Sequence, residues 1–138
     1  GQIALGQAQA GREEHHLMTT YIHCVIDDSL AAAAQRIRPI LASTIANGWV
    51  FAQIASLNMN DVFKQAIADA GTQGVEALLT DELLAQLAVI GTPEQCIAAI
   101  ERYADAGADN IVFVPHLSEL DDFLDVVGER LLPGLTRQ

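Results

Sequence analysis

The stretch from Gly91 to Pro115 constrains this chain most, because it spells out a helix with both ends and the strand that follows. Thr92 stands where a helix cap must accept from first-turn N–H groups that lack intrahelical partners. Pro93 takes the first helical position, where its missing N–H costs nothing. Gln95 completes a Thr-x-x-Gln capping box. Ile97, Ile100, Tyr103 and Ala104 recur at helical spacing, and Gly107 is placed to end the helix. The run Ile111-Val112-Phe113-Val114 then shows no alternation. Such a run predicts a strand buried on both faces, as in parallel sheets covered by helices. A unit of this kind needs a partner strand from elsewhere in the chain.

That partner is expected at Met18–Ile26, where β-branched and aromatic residues dominate. Asp27-Asp28-Ser29 ends the strand and caps a helix over about residues 30–46, with Leu30, Ala34, Ile37, Leu41 and Ile45 on one face. Pro39 is expected to kink or split this helix, and Asn47-Gly48 to stop it. Residues 2–10 read as the end of a helix stopped by Gly11, cut from a larger element. Trp49 to Met59 is apolar without a clear period. Asn58 or Asn60 is placed to cap a helix over 61–70 that buries Val62, Phe63, Ala66 and Ile67. Residues 71–74 should break the chain. Thr80-Asp81-Glu82 starts another helix, carrying Leu83, Leu84, Leu87 and Ala88 up to Gly91. After Pro115, Ser118-x-x-Asp121 opens a helix over 118–132 that buries Leu120, Phe123, Leu124, Val127 and Leu131. Pro133-Gly134 closes it. The expected order is helix, strand (18–26), a helical crossover (29–90), helix (93–106), strand (110–115), helix. Two parallel strands are too few to stand alone, and each would keep an open edge.

The 138 residues are half hydrophobic, enough for one domain with a sizeable core. Seven basic residues against a net charge of −11 exclude the clustered Lys and Arg that nucleic acid or an anionic membrane requires. No apolar run approaches the roughly 20 residues of a membrane span. Cys24 and Cys96 lie in or beside apolar segments without metal or redox spacing, so both are expected as core thiols in a reduced, cytoplasmic setting.

Three segments together resemble the C-terminal part of the luciferase-like monooxygenase superfamily: Thr80-Asp81-Glu82-Leu83-Leu84, Ala88-Val89-Ile90-Gly91-Thr92-Pro93-Glu94-Gln95, and Tyr103-Ala104-Asp105-Ala106-Gly107-Ala108-Asp109. The combination is most similar to the branch of methylenetetrahydromethanopterin reductases and other deazaflavin-dependent oxidoreductases. Gly11-Arg12 and residues 21–28 fit as the strand before. The resemblance implies an α/β fold, the C-terminal portion of a (β/α)8 TIM barrel, with residues 18–26 and 111–114 as its last two strands. A barrel of this type needs roughly 250 residues, so the first six strands would come from elsewhere. It also implies FMN or a 5-deazaflavin (coenzyme F-420) as cofactor and hydride transfer to or from a small organic substrate. The chain alone would lack a complete active site. The rival reading is a truncated, non-catalytic domain that acts by self-association or partner binding. The partners expected are a small-molecule substrate and either a second copy or a complementing barrel half.

In a barrel, function sits at the C-terminal ends of the strands. Those ends here are Asp27, Asp28 and Ser29, and Pro115, His116 and Leu117. Gly91 and Thr92 offer a helix N-terminus to a phosphate, and His116 offers a ring to a flavin or a proton. Each has a plainer role: Asp27, Asp28 and Thr92 as caps, His116 as a loop residue. His15-His16 lacks further ligands at metal spacing. His23 alternates with apolar residues on a strand, which fits a half-buried ring. Trp49, Phe51 and Met59 are candidates for a substrate pocket or for core. No motif assigns a catalytic residue.

Overall fold

The computed structural model describes residues 5–6, 9–11, 16–48, 51–115 and 120–135. Its strands are β1 (Thr19–Ile26), β2 (Val89–Gly91) and β3 (Asn110–Val114). Its helices are α1 (Leu30–Ala46), α2 (Phe51–Ser56), α3 (Asn60–Leu78), α4 (Asp81–Leu87), α5 (Pro93–Asp105), α6 (Leu120–Val126) and α7 (Leu132–Leu135), with a π-helical turn, Val127–Leu131, joining the last two. His116, Trp49 and His15 lie outside the described residues.

The strands form one parallel sheet in the order β2-β1-β3. Three strands thus stand where two were expected. The third arises from Val89-Ile90-Gly91, which the helical spacing of Leu83, Leu84, Leu87 and Ala88 had extended into the preceding helix. Ala88 already leaves the helix for extended backbone at φ −146° and ψ 162°. The following residues pair Cys24↔Val89, Val25↔Ile90 and Ile26↔Gly91 and are fully buried.

This strand order puts helices on both faces. The chain steps from β1 outward to β2, then back past β1 to β3, and right-handed crossovers in opposite directions swing their helices to opposite sides. On one face, Val25 and Ile90 pack with Ala34, Ile37, Leu41 and Ile45 of α1, and beneath them Phe63, Leu84 and Leu87. On the other, Ile22, Cys24, Ile26 and Val89 pack with Cys96 and Ala99 of α5 and Leu131 of the π turn. Phe113 and Phe123 extend this layer edge to face, 6.3 Å between centroids and 83° between planes.

β3 departs from expectation. It is an edge strand, and only Ile111 and Phe113 face the helices. Val112 and Val114 are 37% and 36% exposed, beside a Tyr21 that is 66% exposed. Their register partners on β1 are Tyr21 and His23. α1 covers the sheet only toward its C-terminal end, so no described helix reaches this part of that face. The foot of β3 is tied to β1 instead by Asp109, whose carboxylate accepts from the Met18 N–H at 2.7 Å.

The helices also correct several local readings. Pro39 sits inside an unbroken α1, whose buried stripe of Ala33, Ala34, Ile37, Leu41, Ala42 and Ile45 offsets one lost hydrogen bond. The break expected at 71–74 falls on Gly71 (φ 57°, ψ −137°), where a kink divides α3 into two helical segments, the second running on to Leu78. Neither asparagine caps α3: its cap position is Met59, without a side-chain bond. Asn58 adopts φ 56°, and the buried Asn60 Oδ1 has no partner. Val62, Leu120 and Leu124, expected in the core, are exposed. The helix past Phe123 continues through Pro133 to Leu135 instead of stopping.

Candidate functional site

The C-terminal ends of all three strands meet at one edge of the sheet. The Asp27 N–H donates to Gly91 O at 2.9 Å, extending the β1–β2 ladder one residue beyond the strands. This brings Asp27 and Asp28 beside Gly91 and Thr92, four of the residues singled out in the sequence. His116 is outside the description, so its place relative to them is not assigned.

At Gly91-Thr92 the helix start is closed on itself. The Gln95 N–H donates to Thr92 Oγ1 at 3.4 Å, and the Thr92 N–H to Gln95 Oε1 at 2.9 Å. The Cys96 N–H is taken by Thr92 O at 2.9 Å, and Pro93 has none. The Thr92 hydroxyl also donates to the Glu94 carboxylate at 2.8 Å. That bond, with help from the Glu94 backbone N–H and Arg130, holds the Glu94 carboxyl below its usual range. An ionised carboxylate in front of spent donors repels a phosphate, so this helix start does not fit one. Gly91 itself has φ +123°, and a Cβ there would come within 2.3 Å of Gln95 Oε1. Its glycine identity is explained by the box.

Two ion pairs brace the edge. Arg36 Nη1 of α1 donates to Asp27 Oδ2 at 3.0 Å. Arg130 Nη2 donates to Asp28 Oδ1 at 3.2 Å. Asp27 also accepts from the Asp28 N–H at 2.8 Å. That backbone bond first, then Arg36, lowers the Asp27 carboxyl below its ordinary range. The cap of α1 is Ser29, accepting from the Ala32 N–H at 3.1 Å.

Beside the Arg36–Asp27 pair lies a cavity of about 380 Å³. It runs across the sheet edge from Ile37 and Ile40 of α1, past Cys24 to Ile26, to Val114 and Pro115, and ends against Phe123 and Val126 of α6. Arg36 supplies a cation, and Asp122 and Asp125 two rim carboxylates. In open parallel sheets, ligands bind outside the carboxyl ends of strands whose loops leave toward opposite faces. β1 leads to α1 on one face and β3 leads toward α6 on the other, so the cavity occupies that place. The volume falls in the usual range for a small-molecule site.

Arg36 and the α6 carboxylates Asp122 and Asp125 were not singled out in the sequence, and Phe123 was read there only as core. The available signal was position: Asp27 ends a strand, and α6 follows the end of another. Of the other candidates, His16 is exposed. His23 places Nδ1 3.1 Å from Val114 O across the β1–β3 pair. Met59 packs at the edge of the α1 core. Among the described residues no group of three or more His, Cys, Asp or Glu is placed to hold a metal ion. No described helix is long and apolar enough to cross a membrane.

The domain is a parallel α/β sheet with a mixed polar and apolar cavity at its carboxyl edge. Residues 2–110 match the model of the luciferase-like monooxygenase family, and the chain belongs to that family. The family's general chemistry is oxidoreductase, of the monooxygenase type, with flavin-type cofactors. No curated protein matches the chain. The match ends at the first residue of β3, so the α6 wall of the cavity lies beyond it.

Proposed function

We propose that this chain is the C-terminal portion of a luciferase-like (β/α)8 oxidoreductase. The cavity at its sheet edge would be part of the crevice that holds a flavin-type cofactor, FMN or a deazaflavin, against a small organic substrate. The observation that carries this reading is the position of the cavity between the carboxyl ends of β1 and β3. Its walls fit an apolar, ring-bearing group: Ile37, Ile40, Val114, Pro115, Phe123 and Val126 offer flat and aliphatic contact. They do not fit a phosphate, because Asp122 and Asp125 stand at the rim and Asp27 already neutralises Arg36. The phosphate of such a cofactor would be gripped by other strands of the barrel. Bound there, the cofactor would supply hydride transfer. This chain would orient it and exclude water, and the deazaflavin branch is favoured by the Thr80–Gln95 motif.

The remaining strands would come from a complementing segment or a second copy. Three parallel strands do not close a barrel, and turnover by this chain alone is not expected. The test is titration of the purified chain with FMN and with coenzyme F-420, following cofactor fluorescence and mass in solution. Saturable binding of one cofactor per chain supports the reading. Absence of binding by either overturns it for this chain.

A second reading, a non-catalytic domain acting through self-association or a partner, is favoured by one observation. β3 presents an open edge flanked by exposed Tyr21, Val112 and Val114. Failure to bind either cofactor, together with a stable self-paired oligomer, would support it.

A further inference from the structure

We propose that a second cavity, at the amino ends of the strands, binds a small organic monocarboxylate with an apolar body, its carboxylate held by Arg102. The cavity has a volume of about 330 Å³ and is lined by Leu57, Ala85, Gln86, Arg102, Tyr103 and Ala106. None of these residues borders the cavity at the carboxyl edge. Topology puts the two at opposite ends of the sheet. α5 starts from the carboxyl end of β2 and runs back to the amino end of β3, so Arg102, Tyr103 and Ala106 stand at that end. α4 closes with Leu87 just before β2 begins, so Ala85 and Gln86 stand there too. α4 packs on one face of the sheet and α5 on the other, and both touch the edge strand β2.

The charge pattern singles out Arg102. Among the described basic residues, Arg36 pairs with Asp27, Arg38 with Asp81, Lys64 with Asp61 and Arg130 with Asp28. Arg102 has no carboxylate partner among the described residues, although the chain carries a net charge of −11. The Tyr103 hydroxyl and the Gln86 amide are likewise without hydrogen-bond partners among the described residues. Burial raises the Tyr103 phenol, the Arg102 charge opposing it only in part, so the ring keeps a neutral O–H donor. Three donor groups thus border one space whose other walls, Leu57, Ala85 and Ala106, are apolar.

A guanidinium presents a planar fork that takes a carboxylate through two parallel hydrogen bonds. A dianionic phosphate fits less well. One cation lines the cavity, and the carboxyl-terminal turn of α5 lies here, where the helix dipole opposes negative charge. Affinity must come from that single charge and from burying an apolar body against Leu57, Ala85, Ala106 and the Tyr103 ring. The volume lies at the lower end of the range for small-molecule sites, which limits the body to about one ring or a short aliphatic chain. A cation in the last turn also suits the α5 dipole by itself. That role would leave Arg102 without a ligand, and binding measurements separate the two.

The test is titration of the isotope-labelled full chain with phenylacetate, followed by the NMR shifts of backbone amides and arginine Nε–H groups, with phenylethanol and inorganic phosphate as comparators. Saturable binding is expected with a Kd on the order of 1 mM, with shifts centred on Gln86, Arg102 and Tyr103. Arg102→Gln is expected to weaken binding about fivefold or more. Ala106→Leu, which fills the space and keeps the charge, should also weaken it. Lys64→Gln, an equal loss of charge on α3, should leave affinity unaltered. All three substituted positions are exposed, so the fold is retained. Absence of saturable binding, unchanged affinity in Arg102→Gln or Ala106→Leu, or an equal loss in Lys64→Gln would overturn the proposal. So would shifts centred on Asp27 and Arg36, or phenylethanol or phosphate binding as tightly as phenylacetate. The outcome does not depend on what the cavity at the carboxyl edge holds.

Discussion

Arg36 Nη1 and Asp27 Oδ2 stand 3.0 Å apart, joining the second turn of α1 to the residue that follows β1. The pair sets the charge of the cavity mouth, and Asp27 is also fastened to β2 through Gly91 O.

Asp27→Asn is expected to lower stability by about 0.5–1 kcal/mol at pH 7, a value discounted for the partial exposure of both partners. The folded carboxyl lies below its ordinary range. Its contribution is therefore complete above the unfolded value of about 4 and fades as pH falls through the lowered folded value. Urea unfolding of both proteins at several pH values should show the difference at neutrality and its loss in acid. A difference that grew on acidification would contradict the assignment.

Gly91→Ala places a Cβ at φ +123° and within 2.3 Å of Gln95 Oε1. The strain and the displaced Gln95 should together cost about 2–3 kcal/mol. Gly128→Ala is the matched control. Nothing lies within 4 Å of its Cβ, and its backbone does not have positive φ. That change should be neutral or stabilising by up to about 1 kcal/mol. Equal losses at the two sites, measured in urea, would refute the argument.

Thr92→Ala removes the capping box and should cost about 1 kcal/mol. The first-turn donors are spent within the box, so affinity for FMN or coenzyme F-420 should not change beyond twofold. A large loss of affinity with little loss of stability would restore Thr92 as a phosphate contact.

Phe123 forms the far wall of the cavity and meets Phe113 edge to face. Phe123→Ala should weaken cofactor binding about tenfold, the loss of one aromatic contact. Leu124→Ser, one position along on an exposed side chain, should leave binding unaltered. Fluorescence titration of both variants separates the wall of the site from its surroundings.

How much of this was legible in the sequence follows from the range of the forces involved. α5 was readable to its caps because Thr92, Pro93 and Gln95 interact within four positions. β1 was readable because its composition fixes its pairing role. β2 was hidden, since three residues carry no period and Val89 and Ile90 extend a helical pattern. The exposure of Val112 and Val114 was hidden too. An apolar run announces what a strand can bury, and the neighbours that do the burying are set by tertiary packing. At the site, Asp27, Gly91 and Thr92 were marked by local capping chemistry. Arg36 and Phe123 come from the helices after two separate strands, and only the strand order places them around one cavity.

The order β2-β1-β3 also has a consequence for biosynthesis. The middle strand is made first, and both of its neighbours emerge only after a further sixty or more residues have left the ribosome. Through that interval Ile22, Cys24, Val25 and Ile26 lack β2, β3 and the covering α5. At roughly 5–20 residues per second the wait is several seconds. A nascent chain built this way waits that long for the strands that flank β1 in this sheet and for the helix that covers it.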